Sequence, residues 1–105
     1  MSLYLQENLI RKIEGLGTMT DLRTVNLSEN QIERIENLSG CVSLETLLLK
    51  RNRIGKNDET CIDDLRGLLE VPSIHVLDIS QNHIGDPAIL PEILMKMPNL
   101  KVLYL

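Results

Sequence analysis

Aromatic residues and cysteines are scarce in this sequence of 105 residues. It contains two Tyr, two Cys and no Phe or Trp, whereas Leu occurs 20 times and Ile 11 times. A core of branched aliphatic side chains without aromatic anchors favours many similar small layers over one globular centre. The length allows one domain at most, so we treat residues 1–105 as a single unit.

Several classes of protein are disfavoured by what the chain lacks. No apolar run approaches the roughly 18 residues of a membrane span, and the N-terminus has no secretion-signal pattern. The net charge of -4 argues against direct binding of nucleic acid, where neutralised phosphates supply most of the affinity. Cys41 and Cys61 form no CxxC motif, so neither zinc nor a disulfide framework is indicated. We expect a reduced intracellular protein without a membrane or nucleic-acid partner.

A short pattern recurs along the chain. Each copy reads aliphatic-x-aliphatic-x-x-Asn, and the copies are Leu3–Asn8, Val25–Asn30, Leu47–Asn52 and Leu77–Asn82, with Leu103–Leu105 opening another. An apolar residue also precedes every copy after the first by three positions, and an Ile follows each Asn by two. The full pattern, L-x-x-L-x-L-x-x-N-x-I, is that of the leucine-rich repeat. It predicts an α/β leucine-rich-repeat solenoid: a curved horseshoe with a parallel sheet on its concave face and short or 3₁₀ helices on its convex face.

Each position of the repeat has a physical role. The alternating aliphatics predict a short strand with its Leu and Ile side chains turned inward, and stacking of such strands buries a continuous core. The amides of Asn8, Asn30, Asn52 and Asn82 are expected to form a ladder at the turns, where they satisfy backbone groups of their own and the neighbouring coil.

The segments that lead back to each strand are expected to differ in length. Apolar residues at every third position over 13–22 and 35–44 predict a 3₁₀-like path. Ile62, Leu65, Leu68 and Leu69 predict a helix that is capped by Asn57 or Asp58 and ends before Pro72. Asp86 and Pro87 predict the start of a second helix, bent near Pro91, over about 87–96.

If the aliphatics point inward, the alternate strand residues form the concave face, the usual partner-binding surface of a solenoid. Leu48 is apolar where neighbouring coils carry polar residues, and with Val76 and the tyrosines it is expected to form an apolar stripe with polar flanks. Scattered exposed aliphatics are also commonplace on surfaces without function. The predicted partner-binding residues are Tyr4, Asn26, Leu48, Lys50, Arg51, Val76, Asp78 and Tyr104.

Basic residues cluster along the adjacent loop edge, at Lys50, Arg51, Arg53 and Lys56. One interpretation is an ordinary ion pair between coils, such as Glu29–Arg51, worth roughly 0–1 kcal/mol. The alternative is a docking edge for an acidic segment of a partner.

Catalytic and metal-binding patterns are missing from the sequence. His75 and His83 have no Cys or carboxylate at ligand spacing, and Asp63, Asp64 and Asp86 fit helix caps or surface positions better than a paired acid and base. Nucleotide-binding, nucleophile-elbow and zinc-protease motifs are also missing. We therefore expect no catalytic residues, no metal site and no cofactor.

Several stretches of the chain resemble a particular family. The 22-residue repeat resembles the class that includes protein phosphatase-1 regulatory subunits, the spliceosomal U2 A-prime protein and several ciliary proteins. More closely, the chain resembles the dynein axonemal assembly factor 1 family over Leu3–Glu14, Ile35–Leu38, Val76–Asn82, Asp86–Leu90 and Met97–Leu100.

That resemblance implies a cytoplasmic scaffold for assembling the dynein arms of cilia or flagella, with dynein subunits and chaperones as partners. Family members continue into further repeats and a cap, so we expect the chain to be a fragment of about four to five repeats. Its uncapped ends are expected to favour self-association.

Two other functions are compatible with the same fold. One is a regulatory subunit that docks on protein phosphatase 1 through the concave face. The other is a leucine-rich-repeat component of a ribonucleoprotein, which binds the protein that carries the RNA.

Overall fold

A computed structural model describes residues 1–56, 62–84 and 90–105 of the chain. These residues contain one sheet of five parallel strands in sequence order. The strands are β1 Ser2–Tyr4, β2 Thr24–Asn26, β3 Thr46–Leu48, β4 Val76–Asp78 and β5 Val102–Tyr104. Each strand pairs with its sequence neighbours, as a solenoid requires, so the predicted topology is confirmed.

The central residues of the strands form the inner row of the sheet. Leu3, Val25, Leu47, Leu77 and Leu103 are partners in register. The three middle members of this row are fully buried, while the residues on either side of them in the strands are partly exposed. This alternation is the period-2 pattern that the sequence predicts. The aliphatic core therefore lies behind the sheet.

Backbone pairing between coils continues beyond the three-residue strands. The N–H of Leu27 donates to the carbonyl of Leu48 at 2.8 Å, and the N–H of Glu29 donates to that of Lys50 at 2.7 Å. Past the asparagine, the N–H of Arg53 donates to the carbonyl of Ile32 at 2.8 Å. The inter-coil ladder thus runs from the sheet through the turn and onto its far side.

Asn52 shows how the asparagine ladder joins three backbone segments. Its Oδ1 accepts the N–H of Ile32 at 3.0 Å, and its Nδ2 donates to the carbonyls of Leu27 at 2.9 Å and Leu49 at 3.0 Å. The side chain is almost fully buried. One amide therefore satisfies polar groups of its own coil and of the preceding coil, which burial would otherwise leave without partners.

The other asparagines confirm the predicted row. Asn30 and Asn82 repeat the pattern, since each donates to a carbonyl of the preceding coil and accepts a backbone N–H from it. Asn8 is exposed, and its amide donates only within its own coil, to the carbonyls of Leu5 and Gln6. Asn8 therefore closes a turn but does not join two coils through its side chain.

The residue before each asparagine adopts a left-handed backbone conformation. The φ angles are 58° at Glu7, 58° at Glu29, 57° at Arg51 and 55° at Gln81. Non-glycine residues reach this region at a cost of about 1–2 kcal/mol. The hydrogen bonds of the following asparagine offset this cost, and the same tight turn recurs in four successive coils.

The return segments 13–22 and 35–44 are not continuous 3₁₀ helices. Bonds of the 3₁₀ type form only at the apolar positions, from Met19 N–H to Leu16, Leu22 to Met19, Cys41 to Leu38 and Leu44 to Cys41, at 2.9–3.2 Å. A helix needs such bonds at consecutive residues. The predicted path is thus a chain of separate turns, and most of the residues between the bonded positions are exposed.

The longer third coil carries the predicted helix in two parts. Helix α1 spans Ile62–Leu65, and a 3₁₀ helix follows over Arg66–Glu70 and ends before Pro72, as expected. A Cβ on Gly67 would overlap the carbonyl of Ile35 in the adjacent coil, so close packing accompanies the change to the tighter helix.

A second helix lies in the last return segment. Helix α2 spans Leu90–Leu94, within the predicted range, and Pro91 occupies its second described position. The proposed caps Asn57, Asp58, Asp86 and Pro87, and the predicted helix start before Leu90, lie outside the described residues.

Gly40 marks another close approach between coils. A Cβ there would overlap the carbonyl of Gly17, whereas a Cβ on Gly17 would meet no atom within 4 Å. The two glycines lie in stacked return segments, but only Gly40 is required by the packing.

We predict that Gly40→Ala destabilises the protein by about 2 kcal/mol, because the coils must separate to admit the methyl group. Urea unfolding followed by circular dichroism measures the change. Gly17→Ala is the matched control, with an expected effect within about 0.5 kcal/mol. Equal losses in the two variants would show that the close approach does not hold the coils together.

Cys41 takes the place of a core aliphatic, as predicted. The side chain is fully buried, and its Sγ donates to the carbonyl of Leu16 at 3.4 Å. Burial raises the pKa of the Cys41 thiol, because the thiolate would lose its hydration. The folded protein therefore keeps this thiol protonated and unreactive.

We predict that Cys41 in the folded chain reacts with iodoacetamide at least about tenfold more slowly than in urea. Mass spectrometry of the peptide that contains Cys41 measures both rates. Equal labelling rates in the two states would contradict burial of the thiol.

The raised pKa of the Cys41 thiol also predicts that the stability of the protein falls as the pH rises above about 8.5, where the unfolded thiol ionises and the folded one does not.

Candidate functional site

The concave face presents one side chain from each strand in a single row. Tyr4, Asn26, Leu48, Asp78 and Tyr104 are partners in register across β1 to β5. Neighbouring strands lie about 4.8 Å apart, so the row extends for about 19 Å. We call these five residues the concave row. It contains five of the eight residues predicted to bind a partner.

The two polar members of the concave row also shape the backbone. The Oδ1 of Asn26 accepts the N–H of Ser28 at 3.1 Å. The Oδ1 of Asp78 accepts the N–H of Ser80 at 3.0 Å and its hydroxyl at 2.6 Å. These are Asx-type turns that lead from the strand to the asparagine turn. Leu48 occupies the same position in β3 and forms no such bond.

The two tyrosines are the most exposed members of the concave row. Tyr4 is 63% exposed and Tyr104 54%, whereas Leu48 is half-buried. Asn26 and Asp78 separate these apolar side chains, so the expected stripe is interrupted by polar groups. Val76 lies in the adjacent row, beside Val102, in register with Thr46. The concave face thus carries large apolar side chains and polar side chains on neighbouring strands.

Lys50 and Arg51 follow β3 at the edge of the concave face. The guanidinium of Arg51 donates to Gln81 at 2.6 Å and pairs with Glu29 at 3.5 Å. The predicted Glu29–Arg51 ion pair is therefore present, and with the bond to Gln81 the Arg51 side chain links three coils. Both of its side chains are largely exposed, so its contribution to stability stays below about 1 kcal/mol.

Both histidines form hydrogen bonds to backbone carbonyls. The Nδ1–H of His75 donates to the carbonyl of Ser73 at 2.7 Å, and the backbone N–H of His83 donates to the carbonyl of Ile54 at 2.9 Å. Within residues 1–56, 62–84 and 90–105, no three side chains of His, Cys, Asp or Glu are grouped to hold a metal ion.

Asp64 differs from the prediction of a cap or surface position. It is buried and accepts the Nε–H of Arg34 at 3.3 Å and the backbone N–H of Gly55 at 3.1 Å. The irregular third coil thus uses a carboxylate where a backbone donor needs a partner. Nothing in the local sequence, which reads as an acidic helix start, signals this burial. The side chain of Asp63 and residues Cys61 and Asp86 lie outside the described parts.

No helix in the described ranges has the length and apolar character needed to cross a bilayer.

The family comparisons agree with the repeat structure. The family described as Leucine Rich repeats (2 copies) matches residues 2–40, and the family described as Leucine Rich repeat matches residues 72–90. These families are generally interaction modules without enzymatic activity. No curated protein is significantly similar to the chain.

A solved structure has the same architecture. A chain in the crystal structure of the Drosophila melanogaster SNF/U2A' complex is 25% identical, with a TM-score of 0.61. The alignment covers 97% of this chain and 71% of that chain. The repeat pattern, the sheet topology and the two family matches together make this chain a leucine-rich-repeat protein.

Proposed function

We propose that the chain is a non-enzymatic scaffold that binds a protein partner across the concave row. The observation that carries the proposal is the continuous register of Tyr4, Asn26, Leu48, Asp78 and Tyr104 over all the described strands. Exposed tyrosines supply large contact areas at low entropic cost, and they are enriched at protein interfaces.

The polar groups of the row define what the partner must offer. Asp78 uses one oxygen for Ser80, and Asn26 uses its oxygen for Ser28. The other Asp78 oxygen and the Asn26 amide group have no partner among the described residues. A fitting partner therefore places an apolar side chain on Leu48, a donor at Asp78 and an acceptor at Asn26.

Two more specific functions follow from different observations. The resemblance of the repeats to the dynein axonemal assembly factor 1 family supports a cytoplasmic scaffold for dynein arms of cilia or flagella, with dynein subunits or chaperones as partners. The likeness to a chain of the SNF/U2A' complex supports the second function, a leucine-rich-repeat component of a ribonucleoprotein that binds a protein partner. Docking on a phosphatase rests on the repeat class alone. Absence of direct nucleic-acid binding stays a prediction.

We predict that Leu48→Glu/Tyr104→Ala lowers partner recovery in an affinity pull-down about tenfold. The double substitution places a charge in the buried interface with the partner and removes an aromatic anchor. The bait is the intact chain, with cross-linking and mass spectrometry to map contacts onto the concave row. Dynein-arm subunits among the cross-linked proteins would favour the first specific function, and nuclear ribonucleoprotein proteins the second.

The matched control is Val42→Glu/Met95→Ala, which changes two exposed apolar residues outside the strands. It should leave recovery within about twofold of wild type, since it does not alter the concave row. Unchanged recovery with the concave variant, or cross-links confined to other surfaces, would refute this binding site.

A further inference from the structure

A second surface lies beyond the asparagine turns, away from the concave row. Arg11, Lys12, Arg53 and Lys56 are exposed there, on coils one and three. We call these four residues the basic flank. Because the whole chain has a net charge of -4, this concentration of cations opposes the average charge of the molecule.

The basic flank borders a concave surface rather than a flat one. A cleft of about 260 Å³ is lined by Arg11, Gln31, Glu33, Arg53 and Lys56. An adjoining cleft of about 330 Å³ shares Arg11 and Glu33 and includes Lys12. The two clefts thus form a groove across neighbouring coils, with Arg11 at its middle.

Part of the positive charge in this groove is not balanced by the carboxylates that line it. Arg34, in the second cleft, pairs with the buried Asp64 at 3.3 Å. In contrast, no member of the basic flank forms an ion pair within residues 1–56, 62–84 and 90–105. Glu33 is the only carboxylate of the described residues in the first cleft, against three cations. Over both clefts, five cations face three carboxylates, Glu33, Glu36 and Asp64, so the groove has an excess of two positive charges.

The backbone beneath these side chains is fixed by the inter-coil ladder. The N–H of Gln31 donates to the carbonyl of Ile10, and that of Arg53 to Ile32, both at 2.8 Å. The Nε–H of Arg11 donates to Oε1 of Gln31 at 3.3 Å, and both side chains line the first cleft. The Arg11 guanidinium keeps further N–H donors for a carboxylate. Because the bond to Gln31 already restricts the side chain, less conformational entropy is lost when a carboxylate binds.

We propose that the basic flank binds an acidic segment of a partner protein, rich in Asp and Glu, at a site separate from the concave row. Carboxylates match the charge and the donors of the groove. Single-stranded nucleic acid is the less suitable ligand, because it also requires aromatic residues for base stacking. The two tyrosines of the chain, Tyr4 and Tyr104, belong to the concave row instead.

The test uses fluorescence anisotropy with the intact chain and a short fluorescein-labelled peptide of alternating Glu and Gly. We predict that wild type binds this peptide, that its Gln-containing counterpart does not bind, and that the affinity falls as salt rises to about 0.15 M. Arg53→Glu/Lys56→Glu should weaken binding about tenfold. Arg11→Gln/Lys12→Gln, which introduces no negative charge, should weaken it about threefold.

Lys96→Glu/Lys101→Glu is the matched control, because it changes the net charge equally at exposed positions outside the groove. It should retain affinity within about twofold of wild type. Equal losses in this control and the flank variant, or no binding by wild type at low salt, would overturn the proposal. Tighter binding of oligouridylate than of the peptide, abolished by the flank variant, would also overturn it.

Discussion

The structure depends on the amides that Asn30, Asn52 and Asn82 place between neighbouring coils. A single repeat cannot bury its aliphatic residues, and the turn that ends each strand leaves backbone groups pointing inward. Asn30, Asn52 and Asn82 satisfy these groups by bonding to their own coil and to the preceding one. Each amide therefore fixes a turn and the distance between two coils together. Because this geometry repeats, the strands pair in register and the core becomes continuous.

The concave row and the basic flank both arise from this regularity. On one side of the asparagine turn, the strand register aligns Tyr4, Leu48 and Tyr104 in one row with Asn26 and Asp78. On the other side, the inter-coil ladder holds the backbone that carries the basic flank. The aliphatic interior supplies stability and the exposed positions of the coils carry the variation. Binding properties are therefore encoded in residues that the repeat pattern leaves free.

The sequence predicts the regular part of the molecule well, because stacking converts a linear period into a spatial one. The strands, the inward Leu row, the asparagine row and the Glu29–Arg51 pair all follow from aligning the repeats. Contacts between coils are harder to predict from the sequence. The burial of Asp64, the close approach at Gly40 and the left-handed turn before each asparagine depend on atoms of another coil or on backbone geometry. The left-handed positions hold Glu, Arg and Gln, so no glycine marks them. The strand register likewise predicts the position of the concave row. The identity of its binding partner depends on contacts with another molecule.

The most direct measurement compares the unfolding free energies of Asn52→Ala and Asn8→Ala in urea. Asn52 is buried and its amide joins two coils, whereas Asn8 is exposed and bonds within one. Asn52→Ala should cost about 3 kcal/mol, because it leaves several buried backbone groups unsatisfied. Asn8→Ala should cost less than about 1 kcal/mol, since water replaces its bonds. Equal small losses would mean that the coils are held by aliphatic packing alone and would contradict this account.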